Sequence, residues 1–148
     1  MIDLMDDIVW SVNPDNDRFE NMLVRMREYA VEMLEAKNIN FRFTISEEMN
    51  EMKIPMQLRK DYFLIFKESI NNLAKYADAT EASVVIEKKG NMAITTIKDN
   101  GKGFDLNIIH SGNGLKNMQQ RAIAIKGTAI IQTTKGEGTS IILKMPVT

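Results

Sequence analysis

The sequence predicts an α+β two-layer sandwich, in which one mixed, mostly antiparallel sheet is covered by helices on one face. Three observations predict it. Apolar residues recur at three- and four-residue spacing in three long runs, the period of a helix with one buried face. Between and after these lie runs that alternate apolar and polar residues, and four of them form two pairs joined by short glycine-bearing turns, so their strands are antiparallel neighbours. The third observation is size: 148 residues with 44% hydrophobic content build one domain with a sizeable core, not two. A doubly wound parallel sheet fits this order poorly, because hairpins force antiparallel pairing.

Along the chain, residues 2–12 place Met5, Ile8, Val9 and Val12 on one helical stripe, which stops at the turn-forming cluster Asn13-Pro14-Asp15-Asn16-Asp17. This run starts without an initiating cap and reads as the middle of a helix, so the natural protein is expected to extend beyond Met1. Residues 1–16 are therefore read as a helix end with a hinge, and residues 17–148 as the globular domain. From Asp17, the expected cap, a helix to about Lys37 carries Phe19, Met22, Leu23, Met26, Tyr29, Ala30, Met33 and Leu34 at core spacing. Ile39, Phe41, Phe43 and Ile45 then alternate with polar residues as a strand. Pro55 opens a long helix to Tyr76 that turns Leu58, Tyr62, Ile65, Phe66, Ile70 and Leu73 inward.

Residues 81–88 and 92–98 are strands around the turn Lys89-Gly90-Asn91. A glycine-punctuated loop runs from Asp99 to Asn113, and a helix from Gly114 to Lys126 aligns Leu115, Met118, Ala122 and Ile125. Residues 128–134 and 139–145 pair around Lys135-Gly136-Glu137-Gly138. Neither an internal repeat nor a low-complexity tract interrupts this order.

Composition excludes several functions. Nineteen basic and 20 acidic residues are scattered to a net charge of -1, so there is no basic stripe for nucleic acid, and an anionic ligand must be held by local geometry. With no cysteine there are no disulfides, thiolate nucleophiles or cysteine metal sites. No signal peptide or membrane span is recognisable, and a cytoplasmic setting is expected.

Four stretches carry chemistry. On the long helix, Glu68-Ser69-Ile70-Asn71-Asn72-Leu73-Ala74-Lys75-Tyr76 sets Glu68, Asn72 and Lys75 or Tyr76 on one face. A carboxylate there can orient or accept a proton, a carboxamide oxygen can ligate magnesium that also holds phosphate and water, and a lysine can neutralise phosphate. The plain alternative is a solvated helix face. Asp99-Asn100-Gly101-Lys102-Gly103-Phe104-Asp105 follows a strand, where a carboxylate can accept from the amino group of adenine and repel the carbonyl of guanine, while Gly101 and Gly103 let main chain approach a flat ring. Ordinary turns use the same residues, and a calcium loop is excluded because the later acidic ligands are missing.

Third, Ser111-Gly112-Asn113-Gly114-Leu115 turns directly into a helix whose free N–H groups suit phosphate, although a loop and cap alone would look the same. It is neither a Walker loop nor a dinucleotide-fold turn. The fourth stretch, Lys135-Gly136-Glu137-Gly138-Thr139, is by itself a hairpin turn.

In this order the four stretches resemble the N, G1, G2 and final Gly-Thr boxes of the GHKL ATPase superfamily. The resemblance is to histidine kinases of the nitrate-sensor and propeller-sensor type, and runs from Asp6-Asp7-Ile8-Val9-Trp10-Ser11-Val12-Asn13-Pro14 to Leu143-Lys144-Met145-Pro146. It implies a Bergerat-type sandwich that binds ATP and Mg2+. It further implies that Asn72 is the magnesium ligand with Asn71 as the adjacent candidate, Glu68 the N-box acid, and Lys75 a basic residue near the phosphates. Asp99 would read adenine beside Gly101 and Gly103, Thr139 would share a water network with it, and Gly136 and Gly138 would shape the neighbouring turn. Gly112, Gly114 and Leu115 would form the hinge and phosphate-facing start of a helix, with residues 104–113 as a lid.

Tyr76 stands where many relatives carry histidine, and its phenol can replace one hydrogen bond but not an imidazole. The single histidine, His110, has no acidic neighbour of the phosphoacceptor type and is expected to have no chemical role. The substrate histidine is expected upstream, on a dimerisation and histidine-transfer domain that would be the partner of this segment, with a response regulator downstream of the intact kinase. The segment alone would bind ATP and turn it over barely. Two other readings share these boxes: a stand-alone anti-sigma-type protein-serine kinase, and a non-catalytic nucleotide-binding interaction module. The nature of the phosphate acceptor separates them.

Overall fold

A computed structural model describes residues 19–49, 52, 54–103 and 114–147. The expected helix end and hinge at 1–16, the cap Asp17, the segment 104–113 with His110 and Gly112, and the side chain of Leu115 lie outside the described residues.

Among the described residues, three helices and five strands follow one another as α1 (Phe19–Glu35), β1 (Asn40–Ile45), a short 3-10 turn (Glu47–Met49), α2 (Met56–Tyr76), β2 (Glu81–Lys89), β3 (Met92–Asp99), α3 (Gly114–Ala124), β4 (Thr128–Thr134) and β5 (Gly138–Pro146). Sheet order is β1-β2-β3-β5-β4. The two expected hairpins are β2/β3 and β4/β5, both antiparallel. The hairpins join where β3 and β5 pair antiparallel, which inserts β5 between β3 and β4. β1 pairs parallel to β2, because the intervening α2 carries the chain back along the sheet before β2 begins. The result is the expected mixed, mostly antiparallel sheet.

Two helix ends come earlier than hydrophobic periodicity predicted. α1 closes at Glu35 because Asn38 takes a left-handed conformation (φ 58), and the Ile39 N–H turns back to the Leu34 carbonyl. α3 ends at Ala124 in the same way, with Lys126 left-handed (φ 60) and the Gly127 N–H on the Ala122 carbonyl. At the other end of α2 the apolar stripe is displaced: Leu58 is only partly buried, and its neighbour Arg59 is fully enclosed.

The core lies between the sheet and the helices. Phe19, Met22, Met26 and Leu34 of α1, with Tyr62, Ile65, Phe66 and Ile70 of α2, pack with Val84, Ile86, Ile97, Ile141 and Leu143 of the sheet. Aromatic contacts lock the two long helices together, with the rings of Phe19 and Tyr62 at 5.6 Å and those of Tyr29 and Phe63 at 6.4 Å. One polar pair is buried inside this core, where the Tyr62 hydroxyl and Thr95 Oγ1 lie 2.5 Å apart and join α2 to the centre of the sheet. Burial holds the Tyr62 phenol far above its ordinary range, and the hydrogen bond to Thr95 offsets only part of that.

Removing one member of this pair orphans the other in an apolar setting. Tyr62→Phe is therefore expected to cost about 1–3 kcal/mol in urea denaturation. The double variant Tyr62→Phe/Thr95→Val should recover most of that loss, and a double variant as unstable as the sum of the two singles would remove the pair from this account.

Candidate functional site

The helix-facing side of the sheet changes character at one end. Residues Val84, Ile97, Ile141 and Ile131 form an apolar row across β2, β3, β5 and β4. The next row, at the end of β3, is Ala82, Asp99, Thr139 and Thr133. A carboxylate and two hydroxyls thus replace branched aliphatic side chains where the sheet emerges from beneath the helices.

Asp99 is 8% exposed, and its Oδ1 accepts the Gly101 N–H at 2.8 Å. Burial raises its pKa above the ordinary aspartate value, opposed by the backbone N–H groups of Gly101 and Thr139, which stabilise the ionised form. Beside it, Thr139 Oγ1 and Thr133 Oγ1 lie 2.9 Å apart.

Backbone contacts hold this end of the sheet in place. A Cβ added at Gly101 would sit 2.1 Å from the Ala77 carbonyl oxygen, immediately after α2. The Lys102 N–H donates to that same oxygen at 2.8 Å. Gly138, at φ +95, brings the β4–β5 turn so close to β3 that a Cβ would lie 2.2 Å from the Asp99 carbonyl oxygen. Gly103 packs equally closely on the Thr134 carbonyl, and the Gly136 N–H donates to the Lys102 carbonyl. Asn100 supports the arrangement: its Oδ1 accepts the Thr80 and Glu81 N–H groups, each at 2.9 Å, and its Nδ2 donates to Thr80 Oγ1. The loop after Asp99 is thereby strapped to the end of α2 on one side and to the β4–β5 hairpin on the other.

The polar face of α2 runs toward this strap. A groove of about 280 Å³ separates α2 from α3, lined by Leu64, Lys67, Glu68 and Asn71 on one side and Asn117, Met118 and Arg121 on the other. Arg121 Nη1 meets Asp61 Oδ1 at 3.0 Å, pinning α3 to α2. Ser69, buried between these helices, donates to the Ile65 carbonyl and lies 3.2 Å from Met118 Sδ. Tyr29 of α1 donates to Asn71 Oδ1 at 2.5 Å, so that carboxamide oxygen is already engaged.

The structure therefore gathers Asp99, Gly101, Gly103 and Thr139 into one cluster, and brings Glu68 and Asn71 to the α2–α3 groove. Asn72, Lys75 and Tyr76 share the helix with Glu68 but do not line the groove, and Tyr76 is 57% exposed. Gly114 begins α3, as expected of a helix start. Gly101 and Gly103 have a structural duty that their spacing did not reveal, since each packs on protein backbone at van der Waals limits. Sequence reasoning passed over Lys67, Asn117, Arg121 and Thr133. The four-residue spacing of Asn117 and Arg121 could have signalled one polar helix face, whereas the neighbourhood of Thr133 depends on strand register, which the sequence does not display.

Comparison with known proteins defines the class. Residues 57–148 match the family model described as Histidine kinase-, DNA gyrase B-, and HSP90-like ATPase, and the chain belongs to that family. It is 35% identical over 97 residues to the signal transduction histidine-protein kinase/phosphatase DegS of Brevibacillus brevis, covering 65% of this chain and 25% of that protein. It is 32% identical over 104 residues to the sensor protein VraS of Staphylococcus aureus (strain COL), covering 70% of this chain and 30% of VraS. The fold matches the histidine kinase domain of the blue-light activated histidine kinase from Erythrobacter litoralis EL346, with a TM-score of 0.71, 15% identity, and 88% and 65% of the two chains covered. Within its family, the chain is an ATP-binding catalytic domain of the sensor histidine kinase type, and it spans between a quarter and a third of the length of the relatives it matches.

Two outcomes test this geometry. Gly101→Ala drives a methyl into the Ala77 carbonyl, whereas Gly90→Ala, with no atom within 4 Å, carries only a left-handed backbone cost of about 1–2 kcal/mol. Gly101→Ala is expected to be the more destabilising in urea titrations and to weaken ATP binding. For Asp99, the raised pKa means that the folded state takes up a proton more readily than the unfolded chain. Its ionisation therefore works against folding at neutral pH, and that penalty is relieved as pH falls through the folded value. If Asp99 accepts from a bound base, nucleotide binding has the opposite sign, because protonation removes that acceptor. The ATP affinity advantage of the parent over Asp99→Asn should shrink on acidification, beginning above the ordinary aspartate range; an advantage constant down to pH 4 would contradict the buried-carboxylate account.

Proposed function

We propose that this domain binds Mg-ATP with its adenine against the Asp99–Thr139 end of the sheet and its phosphates between α2 and the start of α3. In the intact protein it presents the γ-phosphoryl group to a histidine on a separate helical domain. The observation that carries this reading is the buried Asp99 carboxylate, set in a polar row and strapped by Gly101 to the end of the helix that bears Glu68, Asn72 and Lys75.

Bound nucleotide supplies the transferable phosphoryl group, and the chain's own residues provide recognition and charge. Asp99 offers an acceptor to the exocyclic amine, and its burial makes an uncompensated carbonyl there costly. Asn72 is the preferred magnesium ligand by its match to the family's asparagine, with Asn71, whose oxygen accepts the Tyr29 hydroxyl, as the adjacent candidate. Among the described residues no three carboxylate, histidine or cysteine side chains cluster as a metal site. A magnesium ion here would thus take one carboxamide from the protein and complete its shell with phosphate and water. Lys75 in the last turn of α2 adds positive charge, and the N-terminus of α3, which begins at Gly114, would direct backbone N–H groups toward phosphate, with Gly112, Gly114 and Leu115 as the assigned residues. Glu68 in the groove is assigned the task of orienting the nucleophile or accepting its proton.

Residues 1–16 are assigned to the end of the dimerisation helix and its hinge, and residues 17–148 to the ATP-binding domain. The dimerisation and histidine-transfer domain would be its partner in the same protein, and a response regulator the acceptor from the phosphohistidine. No described helix is long and apolar enough to cross a membrane, and a cytoplasmic setting is part of the proposal.

Asn72→Ala is expected to abolish the magnesium-dependent part of ATP affinity in calorimetry and leave the melting temperature within a few degrees of the parent. Unchanged affinity would transfer the ligand role elsewhere. The phosphate acceptor is tested by incubating the domain, Mg-ATP labelled at the γ-position and the dimerisation domain of the same protein. Label that is acid-labile and lost with the acceptor histidine supports the kinase reading, and acid-stable label on a serine-bearing partner supports the protein-serine kinase reading instead.

A further inference from the structure

We propose that Tyr29 is a positioning residue on the phosphate side of the site. It holds the Asn71 carboxamide with its oxygen toward α1, so that Asn71 serves the γ-phosphate as a hydrogen-bond donor and leaves the metal to Asn72. The proposal rests on the reading that nucleotide phosphates lie between α2 and the start of α3.

Tyr29 occupies a core position of α1, 5% exposed, with its ring edge-on to Phe63 at 6.4 Å. Packing at such a position asks for an aromatic ring and nothing more. The hydroxyl is an addition, and burying it is costly unless it is paired. It reaches across to α2 and donates to Asn71 Oδ1 at 2.5 Å, joining residues 42 positions apart in the sequence.

A carboxamide has one arm that accepts and one that donates, and the two arms diverge. Two neighbours on α2 agree with the orientation that Tyr29 imposes. The Lys67 ammonium lies over the Tyr29 ring at 5.3 Å, so the end of the amide at Tyr29 has a cation nearby, which suits oxygen. On the groove side stands Glu68, one helical turn before Asn71, whose carboxylate suits N–H groups. With the oxygen turned to α1, the arm left for the groove that Asn71 lines with Glu68, Asn117 and Arg121 is the N–H2 group. It is the direction of the oxygen, not the occupancy of its lone pairs, that keeps it from a metal in the groove. Magnesium takes oxygen ligands, whereas phosphate takes donors. Asn71 therefore suits the γ-phosphate, which the proposed reaction brings beside Glu68, and Tyr29 keeps the amide from turning over.

The ordinary reading of the pair is a tie between helices that adds stability alone. The two roles separate when Mg-ATP and Mg-ADP are titrated calorimetrically into each variant. Tyr29→Phe keeps the ring and removes the hydroxyl. It is expected to weaken Mg-ATP about 3- to 10-fold, the range of one neutral hydrogen bond, and to leave Mg-ADP unchanged. Because Tyr29 acts on phosphate only through Asn71, the double variant Tyr29→Phe/Asn71→Ala should bind Mg-ATP no more weakly than Asn71→Ala alone. Asn71→Asp places acceptors on both arms and should lose at least as much Mg-ATP affinity as Asn71→Ala. A lower melting temperature with the parent's affinities intact, equal losses for both nucleotides, or losses that add in the double variant would reduce Tyr29 to a structural tie and overturn the proposal. Mg-ATP affinity kept or raised in Asn71→Asp would overturn it too, since oxygen would then be the group in use. Should Tyr29→Phe fail to fold, the two Asn71 single variants are read by the same ATP-against-ADP criteria. Asn72→Ala serves as the reference: affinity lost in Asn72→Ala but kept in Tyr29→Phe and Asn71→Ala sinks this inference alone, and affinity kept in all three sinks the placement of the phosphates with it.

Discussion

The close approach of Gly101 to the Ala77 carbonyl is the constraint on which the site depends. Glu68 to Tyr76 and Asp99 to Gly103 belong to elements separated by a full hairpin, and each would fold locally without regard to the other. What brings them together is a backbone contact tolerating no side chain, reinforced by the Lys102 N–H on the same carbonyl oxygen. Gly138 imposes the corresponding demand on the other side, where the β4–β5 turn closes on Asp99. Such contacts lose little conformational freedom when a ligand arrives, because the backbone is already in place.

The protein treats its buried polar groups in two different ways. In the middle of the core Tyr62 and Thr95 satisfy one another and tie α2 to the sheet, a structural use of polarity that fixes the helix against sliding. At the end of the sheet Asp99 is held ionisable by two backbone N–H groups against the cost of burial, and burial prevails. A carboxylate kept in that condition is a poor contributor to stability and a good recognition element, because a donor from a ligand offsets a desolvation cost already incurred. This separation of duties explains why the polar row lies at the sheet end, clear of the aromatic contacts between α1 and α2.

Membership of the histidine kinase-, gyrase B- and HSP90-like ATPases accounts for the layout and names no phosphate acceptor. The aligned stretches make up 25% and 30% of the two relatives. The α2–α3 groove contains Glu68 and is bounded by α3, whose position the Arg121–Asp61 ion pair holds, and under the proposed function it is where nucleotide and acceptor would meet. That pair is partly exposed and adds little to stability, so its value lies in orienting α3.

The sequence alone determined the elements, because periodicity of 3.6 or 2 and the punctuation by Pro55, Gly90 and Gly136 are local properties that survive without tertiary context. It also supplied the candidates for chemistry, Glu68, Asn72, Lys75 and Asp99. Helix ends were misjudged where Asn38 and Lys126 adopt left-handed backbone, a choice made by the turn that follows and not by the apolar stripe. Only the tertiary structure decided which polar residues become neighbours. Register across β3, β5 and β4 aligned Asp99 with Thr139 and Thr133, a one-residue slip would have turned each of them to the opposite face, and no local pattern encodes that alignment. Tertiary packing likewise decided the surroundings of Asn71, to whose carboxamide oxygen α1 delivers the Tyr29 hydroxyl.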